Sequence, residues 1–149
     1  MSRVKQGGDI GHKLIVHGTP DSTLATALAA LSDLGDAKDR LVTIADGYVF
    51  ATAADGTVPN GRILSVEGNS TSGYRLQVHL FCLPSQNGTV DYFTPVGIMN
   101  IAYTGTLAYG DTIKSNAAAG SSVDDATTGG WGMVLDLDNP ASGYADVAY

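Results

Sequence analysis

The sequence predicts a mainly β chain: a compact β-barrel or sandwich-like domain with one short amphipathic helix and an N-terminal arm. Three observations lead there. The fifteen acids are fourteen Asp and a single Glu, Glu67, and Asp competes with the backbone for hydrogen bonds and favours turns over helix interiors. Nineteen Gly supply the positive φ of tight turns. Turn clusters recur along the chain with short apolar or alternating runs between them, the spacing of sandwiches and barrels. A length of 149 residues fits one domain, read as an arm at 1–12 and a single β-rich domain at 13–149.

Residues 1–12 hold Gly7-Gly8 and little apolar content, which predicts a mobile arm. Leu14-Ile15-Val16 reads as a first strand. A helix is expected over 22–34: Asp21 or Ser22 can cap it, Leu24, Ala27, Leu28, Leu31 and Leu34 share one face, and Gly35 stands where a left-handed C-cap would fall. Leu41–Ala45 and Tyr48–Thr52 flank Asp46-Gly47, a two-residue hairpin signal. After turns at Ala54-Asp55-Gly56 and Pro59-Asn60-Gly61 comes a strand at Arg62–Glu67, then a polar loop, Gly68–Gly73. In Tyr74–Leu83, Leu76, Val78, Leu80 and Cys82 alternate with Arg75, Gln77, His79 and Phe81, the pattern of a half-buried antiparallel strand. Pro84–Gly88 reads as a turn, and Val96–Tyr103 and Asp111–Lys114 as strands. Residues 115–130 are low in complexity, an exposed lobe unless part of it pairs around Val123. Trp131–Leu137 and Gly143–Tyr149 read as the last two strands, separated by a turn at Asp138-Asn139-Pro140.

Charge and composition narrow the function classes. A net charge of −7 argues against nonspecific nucleic-acid binding, which needs a basic footprint. Cys82 is the single cysteine, so neither an internal disulfide nor a thiolate zinc cluster is expected. No apolar run reaches the length of a membrane span, and the first residues have no apolar core of a secretory signal. Neither a nucleophile elbow nor a phosphate-binding loop occurs. His12, His17 and His79 lack metal-ligand spacing, and His79 is expected on a solvated strand face. Asp136-x-Asp138-Asn139 opens like a calcium loop, but Pro140 interrupts it, and a turn explains the same residues. Asp124-Asp125 reads as a hydrated pair, and Cys82 as a small buried apolar residue. The expectation is a non-enzymatic protein without cofactor or metal.

Only 15% of residues are charged, few enough to suggest that part of the surface is covered by a partner, although Ser, Thr and Asn can supply solubility instead. Residues 115–149 contain five Asp and no Lys or Arg, whereas Arg3, Lys5 and Lys13 lie in the first thirteen residues beside one acid, Asp9. A basic arm on an acidic body suits engagement of a neighbouring copy or of an acidic surface. Candidate contacts are Arg3, Lys5 and Lys13 in the arm, and Trp131 and Tyr149 as aromatic anchors. Trp131 also reads as a core plug between Gly130 and Gly132.

The C-terminal half, with Gly110-Asp111-Thr112-Ile113, Gly132-Met133-Val134-Leu135-Asp136 and the closing Tyr144–Tyr149, resembles the head decoration (cement) proteins of tailed bacteriophages. Tyr48–Glu67 is similar to that family's opening strands. The resemblance spans about residues 45–149 and consists of glycines and apolar positions; the helix at 22–34 departs from the smaller members. It implies a virion structural protein made in the host cytoplasm, a homotrimer on the outer surface of the capsid that binds the major capsid protein of the expanded shell, with no nucleic-acid or membrane partner. The alternative is a small β-sandwich module for a glycan or host receptor, as in a phage fibre or tail, with Tyr74, Tyr92, Tyr103 and Tyr109 as its platform.

Overall fold

The computed structural model describes residues 14–81, 97–116, 120–126, 130–138 and 140–149. These form two five-stranded sheets, the first closed into a barrel, so the expected mainly β architecture is observed. The arm, the turn at 84–88, Cys82, Tyr92 and Asn139 lie outside the described residues.

The barrel comprises β1 (Leu14–Pro20), β2 (Leu41–Ala45), β3 (Val49–Thr52), β4 (Gly61–Asn69) and β5 (Gly73–Leu80), in the order β1-β3-β2-β4-β5, with β5 returning to pair antiparallel with β1. Closure rests on a short parallel contact, Thr19↔Val49 and Pro20↔Phe50. Here Gly18 is required by space: a Cβ on it would lie 2.0 Å from the Tyr48 carbonyl oxygen, which accepts the Thr19 N–H at 3.1 Å. The connection between β2 and β3 therefore differs from a two-residue turn. Asp46, Gly47 and Tyr48 all lie in it, Gly47 and Tyr48 both take positive φ (76° and 59°), and the added residue aims the Tyr48 carbonyl at β1.

The helix α1 covers Ser22–Ala29, with Leu24 and Leu28 buried beside Val42, Phe50, Ile63, Leu76 and Val78 of the barrel core. Its N-cap is Asp21, whose carboxylate accepts the Leu24 N–H at 2.7 Å. It is shorter than the periodicity over 22–34 predicts, because Asp33 accepts the Gly35 N–H and starts a separate 3-10 turn at Leu34–Ala37. Gly35 thus sits inside that turn, and the C-cap of α1 is Ala30. Leu31 and Leu34 still pack against the same core, so the apolar stripe survives the break.

The second sheet contains β6 (Ile98–Tyr103), β7 (Ile113–Asn116), β8 (Ser122–Asp125), β9 (Met133–Leu137) and β10 (Tyr144–Ala148), in the order β7-β8-β6-β10-β9. The low-complexity stretch does pair around Val123, which is fully buried in β8. The sheet curls until its ends approach each other. Ile113 and Trp131 exchange two backbone hydrogen bonds of 2.9 Å, and Val134 bonds to both Gly110 and Asp111. Gly132 (φ 64°) allows the chain to pass close over Val147 and Ala148 between these contacts.

The two sheets share a core. Leu41 and Ala53, from the barrel half, are buried in the cluster of the second sheet with Met99, Ile101, Ile113, Trp131 and Val134. Backbone bonds run between the halves as well: Leu41 N–H to Gly120, Ser115 N–H to Thr57 and Gly56 N–H to Ser115, while the buried Ser115 hydroxyl donates to the Ala53 carbonyl at 3.0 Å.

Candidate interaction surface

Where the sheets meet, outward-pointing residues of β4 and β5 are covered by the second sheet. The alternation in β5 places Leu76, Val78 and Leu80 in the barrel as expected. His79, expected on a solvated face, is instead buried, because Phe81 and Tyr149 pack edge-on to its ring at centroid distances of 6.1 and 5.6 Å. Phe81 in turn stacks on Trp131 at 4.9 Å and meets Tyr149 edge-on at 5.1 Å. Arg62 pairs with His79 across β4 and β5, lies over the Tyr149 ring at 5.1 Å and donates to the Asp39 carboxylate at 2.9 Å. Burial pushes the Tyr149 hydroxyl above its usual range, against a smaller downward pull from Arg62.

This junction decides the placement of two expected anchors. Trp131 is 1% exposed and Tyr149 2% exposed, so both rings are spent on the chain's own core. For Trp131 the core-plug reading describes its position, and neither ring offers area to a partner in this conformation. The reason is long-range: Trp131 precedes β9, where the second sheet folds over Phe81. Arg3, Lys5 and Lys13 lie outside the described residues.

The exposed apolar groups are elsewhere. On the outer face of the second sheet, Ile98 is 63% exposed and pairs across from Ala148, which pairs on its other side with Met133. Asn100, Asp146 and Asp136 form the next cross-strand row, with the Asn100 amide donating to Asp146 at 2.8 Å. Tyr144 is also exposed on β10, and Tyr109, at the turn before β7, is 74% exposed. Sequence reasoning singled out neither Ile98 nor Tyr144 as an anchor. The signal was present in the alternation of Ile98, Asn100 and Ala102 with Met99 and Ile101, since a solvated Asn100 places Ile98 on the outer face.

The remaining candidates resolve separately. Asp138 closes the link between β9 and β10: its carboxylate accepts the Gly143 N–H at 2.8 Å and the Tyr103 hydroxyl at 3.0 Å, which is the turn reading of the calcium-like motif. Those two bonds hold the Asp138 carboxyl below its usual range, the Gly143 amide having the larger effect. Asp124 lies opposite Lys114 in the β7–β8 pair. Among the described residues no three His, Cys, Asp or Glu side chains are grouped to hold a metal ion. No described helix is long and apolar enough to cross a membrane. Of the described tyrosines in the supposed platform, Tyr74 is half-buried against the barrel core, Tyr103 is half-buried against that of the second sheet, and Tyr109 is exposed. Compared with protein-family models, curated proteins and solved structures, the chain matches none.

Proposed function

We propose that the chain is a capsid decoration protein of a tailed bacteriophage, a non-enzymatic virion component that binds the outer surface of the expanded head as a homotrimer. The observation that carries the reading is the convergence of the stretches bearing the resemblance. Gly110 and Asp111 bond to Val134, Ile113 bonds to Trp131, and β9 pairs with β10. The separated motif residues thus act as one structural unit. Its outer face supplies Ile98 and Tyr144 as apolar anchors, and these replace Trp131 and Tyr149 in the proposal. Stable docking through an interface of about 1,600 Å² needs only a few such anchors, and three linked copies add avidity.

The test mixes purified protein with expanded capsids that lack it. Near-stoichiometric binding by wild type, lost in Ile98→Asp while circular dichroism is unchanged, is the expected result. Absence of binding by wild type overturns the proposal. Light scattering on the free protein is expected to give a trimer mass, and a strict monomer removes the trimer from the reading.

A further inference from the structure

A groove of about 370 Å³ runs between α1 and the β4–β5 hairpin, away from the second sheet. One wall is the flank of α1 that does not enter the barrel, Ala25, Thr26 and Ala29. The opposite wall holds Ser70 and Tyr74, and Thr19 closes the end at β1. Its size is within the roughly 300–1,000 Å³ of small-ligand sites, and an apolar wall with a few polar groups is their usual make-up.

The lining selects a ligand class. Among the described residues none that lines the groove carries a charge, so these walls give phosphate, carboxylate and ammonium groups no ionic partner. What these residues offer is the Tyr74 ring with its phenol, two alanine methyl groups and the three aliphatic hydroxyls of Thr19, Thr26 and Ser70. The Thr26 hydroxyl already donates to the Ser22 carbonyl at 2.9 Å, so it meets a ligand as an acceptor. A hexose matches this set: one face of the sugar ring is lined by C–H groups that can lie on a tyrosine, and its rim carries hydroxyls that donate and accept. The groove is open to solvent, so it suits a sugar unit within a longer chain better than an engulfed free molecule.

We infer that this groove binds a neutral sugar unit, with Tyr74 as the stacking surface and Thr19, Thr26 and Ser70 as hydroxyl partners. The inference is independent of the decoration role, since the groove lies on the barrel and the proposed capsid anchors on the second sheet.

The test is NMR titration of the full-length labelled chain with glucose, galactose, mannose and N-acetylglucosamine, each as free sugar and as a short neutral oligosaccharide. At least one is expected to shift the amides of Ala25, Ala29, Ser70 and Tyr74 saturably. Tighter binding of the oligosaccharide assigns the site to a glycan chain, and equal binding assigns it to a free sugar. Tyr74→Ala is expected to weaken binding roughly threefold to tenfold. Ala29→Gln, an exposed helix position that leaves the barrel core untouched, fills the groove and is expected to abolish the shifts. The inference is overturned if no neutral sugar moves these amides, if the shifts persist in Ala29→Gln, or if inorganic phosphate shifts them at lower concentration.

Discussion

Trp131 shows how much one side chain contributes to this fold. Its ring stacks on Phe81 from the other half, its backbone bonds to Ile113, and its indole N–H is buried with no partner among the described residues. Trp131→Ala is expected to cost about 3–5 kcal/mol in urea unfolding. Trp131→Phe should cost less, since it keeps a ring on Phe81 and removes the unpartnered donor. Glycines give a second contrast at this scale. Gly143 has φ 83° with open space around it, so Gly143→Ala meets only backbone strain, about 1–2 kcal/mol. Gly18 has no room for a Cβ against the Tyr48 carbonyl, so Gly18→Ala must separate β1 from β3 where the barrel closes. The larger loss of midpoint is expected for Gly18→Ala, and equal losses would refute the packing argument.

At the level of elements, ends and connections are set by single polar side chains. Asp21→Ala removes the cap of α1 and is expected to cost about 1 kcal/mol, read from the urea midpoint. Asp138 does the same for the β9–β10 link, with a pH dependence whose sign follows from its lowered pKa. Above the ordinary aspartate value of 3.8 its contribution is fully present, and it is lost as pH falls through the lower folded value. Tyr103 works in the opposite sense: its hydroxyl is raised above 10.0, chiefly by its bond to Asp138, so its contribution holds below that pH and fades as pH rises further. Melting temperature measured from pH 7 to pH 3 should fall less steeply in Asp138→Asn, which keeps an acceptor for Gly143 but does not titrate. Strand positions were legible in the sequence because Gly and Asp clusters bracket them, and each strand expected among the described residues is found within a few residues, whereas the helix expected over 22–34 ends at Ala29. The errors have local causes that periodicity cannot register: Asp33 diverts the chain into a new turn after α1, and Tyr48 extends the β2–β3 loop to reach β1.

For the whole molecule, the question is whether barrel and second sheet behave as one unit. Inward positions such as Leu76 and Val78 were legible from alternation alone, whereas the burial of His79 was not, because strand period identifies an outward face without saying what will cover it. The candidate anchors suffered from the same limit: Trp131 and Tyr149 are conspicuous aromatics, but the inter-sheet junction absorbs them and leaves Ile98 and Tyr144 on the surface. That junction depends on Phe81, which touches His79 on the barrel side and both Trp131 and Tyr149 on the other. Two probes can follow the halves separately, since α1 belongs to the barrel and Trp131 is the single tryptophan of the chain. In wild type, helical circular dichroism and tryptophan fluorescence should trace one coincident urea transition, the mark of two-state unfolding. Phe81→Ala removes the shared ring, at a cost of about 3 kcal/mol, while the Arg62 contact with Tyr149 and the Ser115 bond to Ala53 remain. If the ring stack is the main coupling, the two transitions separate in Phe81→Ala, with fluorescence changing at lower urea because Trp131 loses its stacking partner. Coincident transitions in the variant would instead assign the coupling to Leu41, Ala53 and the backbone bonds to Gly120 and Ser115.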